Sequence, residues 1–152
     1  MTDPVQFSSR TPRHDFPTLV PGQAQKELYV NEALARIDTL LHPCAEGEAD
    51  SPPTAPQIGE TWIVGGNASG DWLGMGGSLA AWDGDQWTFC APTAGTQVHV
   101  QSTGTRWVYD SGWQAPVRPA APSGGATIDS EARTALLALI DALANVGIIP
   151  EN

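Results

Sequence analysis

Two tryptophans stand near aspartates in the glycine-rich middle of the chain, a combination that suits carbohydrate binding. Trp72 follows Asp71, and Trp113 lies three residues after Asp110. An indole ring offers a flat apolar face on which a sugar ring stacks, while a nearby carboxylate accepts hydrogen bonds from sugar hydroxyls. One interpretation of these four residues is therefore a sugar platform.

The competing interpretation is that tryptophan supplies the hydrophobic core. The chain has six tryptophans but only two tyrosines and three phenylalanines. In a small sheet with few long aliphatic runs, each indole buries a large apolar area. We expect this structural role for the four tryptophans in strand-like segments, namely Trp62, Trp82, Trp87 and Trp107.

The motifs of catalytic and nucleotide-binding sites are missing from the sequence. It contains no GxSxG, HExxH or GxxxxGK[ST] pattern. Seventeen acidic residues make carboxylate pairs easy to find without any catalytic meaning. The residues that could converge on a metal match no known zinc spacing: His42, Cys44, Cys90 and His99. The sequence therefore predicts that the protein is not an enzyme, and it assigns no catalytic residue, metal ligand or cofactor.

The charge of the chain argues against two classes of partner. Seven basic and seventeen acidic residues leave a net charge of -10 over 152 residues, which is unfavourable for binding nucleic acid or anionic lipid. Residues 1–20 contain no apolar run of signal or membrane length. We expect no nucleic-acid partner, no membrane insertion, and synthesis in a cytoplasm.

Proline and glycine divide the chain into four segments. Four prolines make residues 1–21 an extended arm, and residues 22–116 combine a helix with a β domain. A Pro/Gly linker at 117–127 leads to a C-terminal helix at 128–149. The predicted fold class is α+β, with one amphipathic helix packed on a small antiparallel Trp/Gly-rich sheet or barrel, followed by an oligomerising C-terminal helix.

The first predicted helix covers residues 22–41, where proline is absent and helix formers dominate. Its apolar residues recur at three- and four-residue steps and are expected to pack as one face: Val30, Ala33, Leu34, Ile37, Leu40 and Leu41. An acidic, proline-rich loop is predicted at 45–59. The strands predicted beyond it are 61–64, a hairpin of 78–82 with 86–91, and a hairpin of 96–101 with 105–109.

The C-terminal helix carries the spacing of a short coiled coil. Its apolar residues are separated by four, three, four and three positions: Ala132, Leu136, Leu139, Leu143 and Val146. Because further apolar residues widen this surface, the helix must bury most of its circumference. Self-association is one expectation, and packing of the helix back onto its own domain is the other.

Several blocks of the sequence resemble a known family. The blocks GQAQKE at 22–27, NEALARID at 31–38 and GETWIVG at 59–65 carry the resemblance, together with TPR at 11–13. They closely resemble a domain of unassigned function that is found in phage-like particle proteins, including prophage tail fibres and gene transfer agent spikes. The similarity runs from about residue 11 to residue 116.

The resemblance implies a virion structural protein without catalytic activity, such as a head spike or fibre base that acts as an adaptor to a receptor-binding fibre. It implies a homo-oligomer whose N-terminal arm meets a capsid or tail protein, assembled in the bacterial cytoplasm and located in the particle. The alternative function is a carbohydrate-binding module that recognises host polysaccharide. The residues expected to line oligomer or partner contacts are Gln25, Lys26, Glu27, Asn31, Leu136, Leu139, Leu143 and Val146. For the four polar ones, a solvated helix face is the simpler interpretation.

Overall fold

The computed structural model of the protein describes Leu19, Gly22 and residues 24–125 and 129–151. Its helices and strands are α1 (Lys26–Leu40), β1 (Cys44–Ala45), β2 (Glu48–Ala49), β3 (Thr61–Val64), β4 (Leu79–Trp82), β5 (Trp87–Cys90), β6 (Gln97–Val100), β7 (Thr105–Tyr109), β8 (Trp113–Gln114) and α2 (Ser130–Asn145). A short 3-10 helix covers Gly70–Trp72. The arm predicted at 1–21 lies outside the described residues except for Leu19.

The strands form two four-stranded sheets. Sheet A has the order β1-β6-β7-β8, and sheet B has the order β2-β3-β4-β5. Two pairings are parallel, β1 with β6 and β2 with β3, and the others are antiparallel. The predicted α+β class is confirmed, and no barrel closes among the described strands. The prediction of a purely antiparallel sheet is wrong, because β1 and β2, near the start of the predicted acidic loop, each add a parallel edge strand.

Both predicted hairpins are present, and local chemistry explains them. The β4–β5 turn is closed by Asp83, whose Oδ1 accepts hydrogen bonds from the backbone N–H groups of Asp85 and Gln86, each at 2.8 Å. In the β6–β7 hairpin, Val98 and Val100 are buried and alternate with exposed residues. This alternation turns one face of sheet A toward the core.

Two clusters of buried side chains lie on opposite faces of sheet B. The first cluster is shared by both sheets and contains Ala45, Ile63, Leu79, Cys90, Val98 and Val100. The second cluster consists of Trp72, Val64 and Ala80. The predicted core role holds for three of the four strand tryptophans: Trp107 packs half-buried on the first cluster, and Trp62 and Trp87 pack on the second. Trp82 belongs to neither cluster and instead meets the ring of Trp87 at a centroid distance of 5.1 Å.

Helix α1 packs against the edge strand β5 with only part of its apolar stripe, since Leu40 packs on the first cluster. Thr39 is its buried residue, and the Cys90 sulfur of β5 lies 3.9 Å from the carbonyl oxygen of Arg36. The stripe predicted to pack is largely exposed, with 57% of Leu34 and 67% of Leu41 accessible. Because the two sheets already bury each other's apolar residues, α1 has only this edge to cover.

The C-terminal end of α2 docks on sheet A, which favours the second of the two expectations for this helix. The backbone N–H of Arg106 in β7 donates to the carbonyl oxygen of Gly147, just beyond α2, at 3.2 Å. Ala144 and Ile149 are buried at this end of the helix. The opposite side of α2 remains exposed, so docking on its own domain buries only part of the apolar surface of the helix.

The segment predicted as a Pro/Gly linker is attached to α2 by two arginines, and one of these bonds runs from the Arg133 guanidinium of α2 to the carbonyl oxygen of Gly124. Arg118 Nη2 lies 2.7 Å from Asp141 Oδ1, and Arg118 Nη1 donates to the carbonyl oxygen of Pro150 at 3.3 Å. The linker is therefore fixed at these points. Neither described helix has the length and apolar character needed to span a bilayer.

Candidate functional site

Trp72 is buried at the centre of the second cluster and cannot act as a sugar platform. Its accessible fraction is 0%, and its ring meets that of Trp87 in a T-shaped contact with centroids 5.1 Å apart. The preceding loop is fixed by Asp50, whose Oδ1 accepts a hydrogen bond from the backbone N–H of Asn67 at 3.1 Å. The prediction of Trp72 as a sugar platform is therefore wrong, although Asp71 beside it is exposed.

Trp113 is half-buried in β8, and both its indole N–H and its ring make contacts within the fold. Its indole N–H donates to the carbonyl oxygen of Gly77 at 2.9 Å, and its ring meets that of Tyr109 at a centroid distance of 5.3 Å. Asp110 is exposed in the turn between β7 and β8. Since Trp113 packs on the first cluster and Trp72 belongs to the second, the structure does not bring the predicted pair together.

The exposed apolar stripe of α1 and the residue that follows the helix form a ridge that we call the α1 seam: Val30, Leu34, Ile37 and Leu41. These residues are separated by four, three and four positions, which is the spacing of the contact positions in a coiled coil. All four side chains are exposed. The seam borders the side of the helix that packs on β5, so α1 carries more apolar surface than its own domain covers.

The four polar residues predicted as contacts lie around the start of α1 and are exposed. Gln25 precedes the helix with a φ of 55°. Lys26 lies one turn before Val30 and so borders the α1 seam, whereas Glu27 and Asn31 lie one turn apart on a different side. The four therefore do not share one face, and their role as a subunit contact stays a prediction.

The apolar ridge that we call the α2 seam consists of Leu136, Leu139 and Leu143 of α2 and of Val146, which follows the helix. Accessible fractions are 55% for Leu139 and 67% for Val146, while Leu143 is half-buried. The helix docks through Ala144, which lies on an adjacent side. The apolar residues that have coiled-coil spacing in the sequence thus lie on one accessible face of the helix.

Metal-ligating residues do not gather within the part of the chain that the structure describes. No group of three or more His, Cys, Asp or Glu side chains forms there. His42, Cys44 and His99 line one shallow cavity of about 320 Å³, but Cys90 is buried in the first cluster. Burial raises the pKa of the Cys90 thiol.

A groove that sequence reasoning missed lies beside Trp62. This Trp62 groove has a volume of about 770 Å³. It is lined by Glu46, Gln57, Ile58, Gly59, Glu60, Trp62, Gln101 and Ser102. They come from three separate stretches of chain, so no local motif could have identified them. The β1–β2 connection, the stretch that runs from the loop before β3 into β3, and the turn after β6 meet at this point.

The match between this chain and a known protein family covers all the strands that the structure describes. No curated protein matches the chain significantly. A family model described as a protein of unknown function (DUF2793) matches residues 30–114. This range is more than half of the chain and includes most of α1 and all eight strands, whereas α2 lies beyond it. The chain therefore belongs to the DUF2793 family of proteins of unknown function.

Proposed function

We propose that the protein is a non-enzymatic structural component of a phage-like particle or gene transfer agent, acting as a spike or fibre base. In this role it is an adaptor between the particle and a receptor-binding fibre. The observation that carries the proposal is the pair of exposed apolar seams on α1 and α2. A protein whose two helices both present coiled-coil spacing to solvent is suited to assembly with other chains.

The α2 seam is the stronger of the two contact surfaces. Docking of the helix end on β7 fixes the direction of α2, so Leu136, Leu139 and Val146 stay exposed on one side. Burying each such side chain is worth about 1.5–3 kcal/mol relative to leaving it in water. A seam of two heptads is too short to be stable alone. In a ring, each weak contact is supported by its neighbours through high effective concentration.

The α1 seam offers a second surface at the opposite end of the chain. Lys26 borders it, and Glu32 and Arg36 form an ion pair of 2.6 Å on the same helix. Apolar ridges edged by charged residues are typical of helix contacts that need specificity as well as affinity. Two separate seams per subunit allow one to join identical copies while the other meets a different protein.

The link to a particle rests on the resemblance of the GQAQKE, NEALARID and GETWIVG blocks to proteins of phage-like particles. Lys26 and Glu27 begin α1, and residues 59–65 contain β3, so these blocks reach into the body of the fold. We propose that the arm at 1–21 meets a capsid or tail protein. Assembly then takes place in the bacterial cytoplasm, and the mature protein resides in the particle.

Native mass spectrometry of the full chain tests the assembly role. Leu136→Asp combined with Leu139→Asp places two charges in the α2 seam and should convert an oligomer into monomers. Thr134→Asp combined with Ala138→Asp adds the same charge at exposed positions outside the seam, so it should leave the oligomer intact. Far-ultraviolet circular dichroism checks that both variants stay folded.

The subunit number also distinguishes the place of attachment. A five-fold ring would favour a capsid vertex, whereas a three-fold or six-fold ring would favour a fibre or tail. A wild-type chain that stays monomeric at every accessible concentration, or a control variant that dissociates as fully as the seam variant, contradicts the proposal.

A further inference from the structure

We propose that the Trp62 groove is a binding site for a neutral saccharide. This goes beyond the assembly role, because the groove lies within one chain and needs no second subunit. It also places carbohydrate recognition at residues other than Trp72 and Trp113. The argument rests on an oriented aromatic ring, fixed polar groups around it and the charge of the groove.

The ring of Trp62 is held in one orientation. Its indole N–H donates to Glu60 Oε1 at 2.6 Å. The ring edge lies over Gly47, where an added Cβ would stand 3.5 Å from the ring carbon Cζ3 and 3.2 Å from Ser102 Oγ. The half-buried ring therefore lines the groove in a fixed position. A pyranose presents a face of C–H groups that stacks on such an apolar surface.

Carboxylates and amides stand around this ring as matched acceptors and donors. Glu60 Oε2 accepts a hydrogen bond from the backbone N–H of Gln57 at 2.7 Å. Glu46 Oε1 accepts one from Gln101 Nε2 at 2.7 Å. Each carboxylate oxygen can accept a second hydrogen bond, and the Gln101 amide has a second N–H to donate. These groups complement sugar hydroxyls, which both donate and accept.

The walls of the groove are joined by the backbone. The N–H of Glu46 donates to the carbonyl oxygen of Thr61 at 2.8 Å, and the N–H of Ser102 donates to that of Glu46 at 3.0 Å. These bonds connect all three stretches that form the site. A groove that is already ordered loses less conformational entropy on binding than a flexible one.

The charge of the groove determines which class of ligand it can bind. Its lining residues include two carboxylates, and none of the described ones is basic. An anionic sugar or a phosphate would be repelled. A simple ammonium ion would find the carboxylates but has no acceptor for the amide N–H of Gln101. A neutral saccharide satisfies both kinds of group, and the volume of about 770 Å³ lies in the range of small-ligand sites.

Titration of the ¹⁵N-labelled full chain tests the proposal, with the indole N–H resonance of Trp62 as the probe. The ligands are maltohexaose, laminarihexaose and chitohexaose as neutral saccharides, sialyllactose as an anionic sugar, and spermidine as a cation. Trp62→Phe identifies the resonance by removing it. At least one neutral saccharide should shift this resonance with a Kd of about 1 mM or tighter.

Matched variants locate the binding at the groove. Gln101→Ala removes a donor and should weaken binding about fivefold, the contribution of one hydrogen bond. Gln97→Ala, at an exposed glutamine of β6 outside the groove, should leave the Kd unchanged. The proposal is overturned if no neutral saccharide shifts the resonance at about 10 mM, if only sialyllactose or spermidine does, or if the two variants weaken binding equally.

Discussion

Gly147 lies so close to Gly104 that a Cβ added at position 147 would stand 2.8 Å from the Gly104 carbonyl oxygen. Gly147 also has a φ of 70° and ends α2 in a glycine cap, with its N–H bonded to the Ala144 oxygen and the Ile148 N–H bonded to the Leu143 oxygen. The β6–β7 turn is thus in backbone contact with the end of α2. This contact fixes the direction in which the α2 seam faces.

Gly147→Ala should undock α2 from sheet A. The positive φ alone costs an L-residue about 1–2 kcal/mol, and the approach of the Cβ to a backbone oxygen adds at least about 1 kcal/mol. Gly95→Ala is the matched control, because Gly95 has a φ of 88° but no atom within 4 Å of an added Cβ. Urea denaturation should show a larger loss in the free energy of unfolding for Gly147→Ala. Equal losses would mean that the contact with Gly104 is unimportant.

Features with a local cause were predictable from the sequence. The β4–β5 hairpin was found because Asp83 and Gly84 supply the turn chemistry within the turn itself. The α2 seam was found because helical spacing alone puts its residues on one side. β1 and β2 were missed because each has only two residues and exists through a distant parallel partner, β6 or β3.

Features that depend on distant neighbours could not be predicted. The glycine-rich loop around Trp72 suggested exposure, but hydrogen bonds from the loop to Asp50 bring the ring into the second cluster. The α1 stripe was found correctly as a pattern, yet which side of α1 packs is decided by the edge of β5. The Trp62 groove was not foreseen, because Glu46 and Gln101 are 55 positions apart.

The two cysteines should differ in reactivity. Cys44 is exposed and Cys90 is buried, and burial raises the pKa of the Cys90 thiol, so its thiolate appears only at higher pH. A thiol reagent at pH 7.5 should therefore modify one cysteine in the native chain and the second only after unfolding. Cys44→Ser should abolish the native reaction, whereas Cys90→Ser should leave it unchanged. Fast modification of the Cys44→Ser variant would contradict this assignment.

Asp83 should stabilise the β4–β5 hairpin in a pH-dependent way. Hydrogen bonds from the backbone N–H groups of Gln86 and Asp85 lower the pKa of its carboxyl below the usual 3.8. A lowered pKa means that the stabilisation is fully present above pH 3.8 and is lost as the pH falls through the folded-state pKa. Asp83→Ala should cost about 1 kcal/mol at neutral pH, and its difference from wild type should shrink in acid.

The control for this turn is Asp85→Ala. Asp85 lies in the same turn, and its backbone N–H, which bonds to Asp83, is kept in the variant. Thermal unfolding followed between neutral and acid pH should separate the two variants. If Asp83→Ala keeps its full deficit well below pH 3.8, the ionised carboxylate is not the cause of the stabilisation.

Asp50 should control the exposure of Trp72. Its carboxylate accepts from the N–H of Asn67 at 3.1 Å, and its carbonyl oxygen accepts from the N–H of Ser69 at 2.8 Å. Asp50→Ala removes only the first bond and should cost about 1–2 kcal/mol. Because that bond fixes the loop before the 3-10 helix, the variant should let acrylamide quench a tryptophan that is protected in the wild type.

Glu48→Ala is the matched control for Asp50→Ala, since Glu48 is an exposed acid two residues earlier on β2. Asp50→Asn keeps a side-chain acceptor and should restore much of the protection, because the loop needs an oxygen at this position more than it needs a charge. Unchanged quenching in Asp50→Ala would show that the packing of Trp72 against Trp87, at a centroid distance of 5.1 Å, holds the ring without the loop. In that case the apolar contacts of the second cluster, and not the Asp50 hydrogen bond, determine where this tryptophan lies.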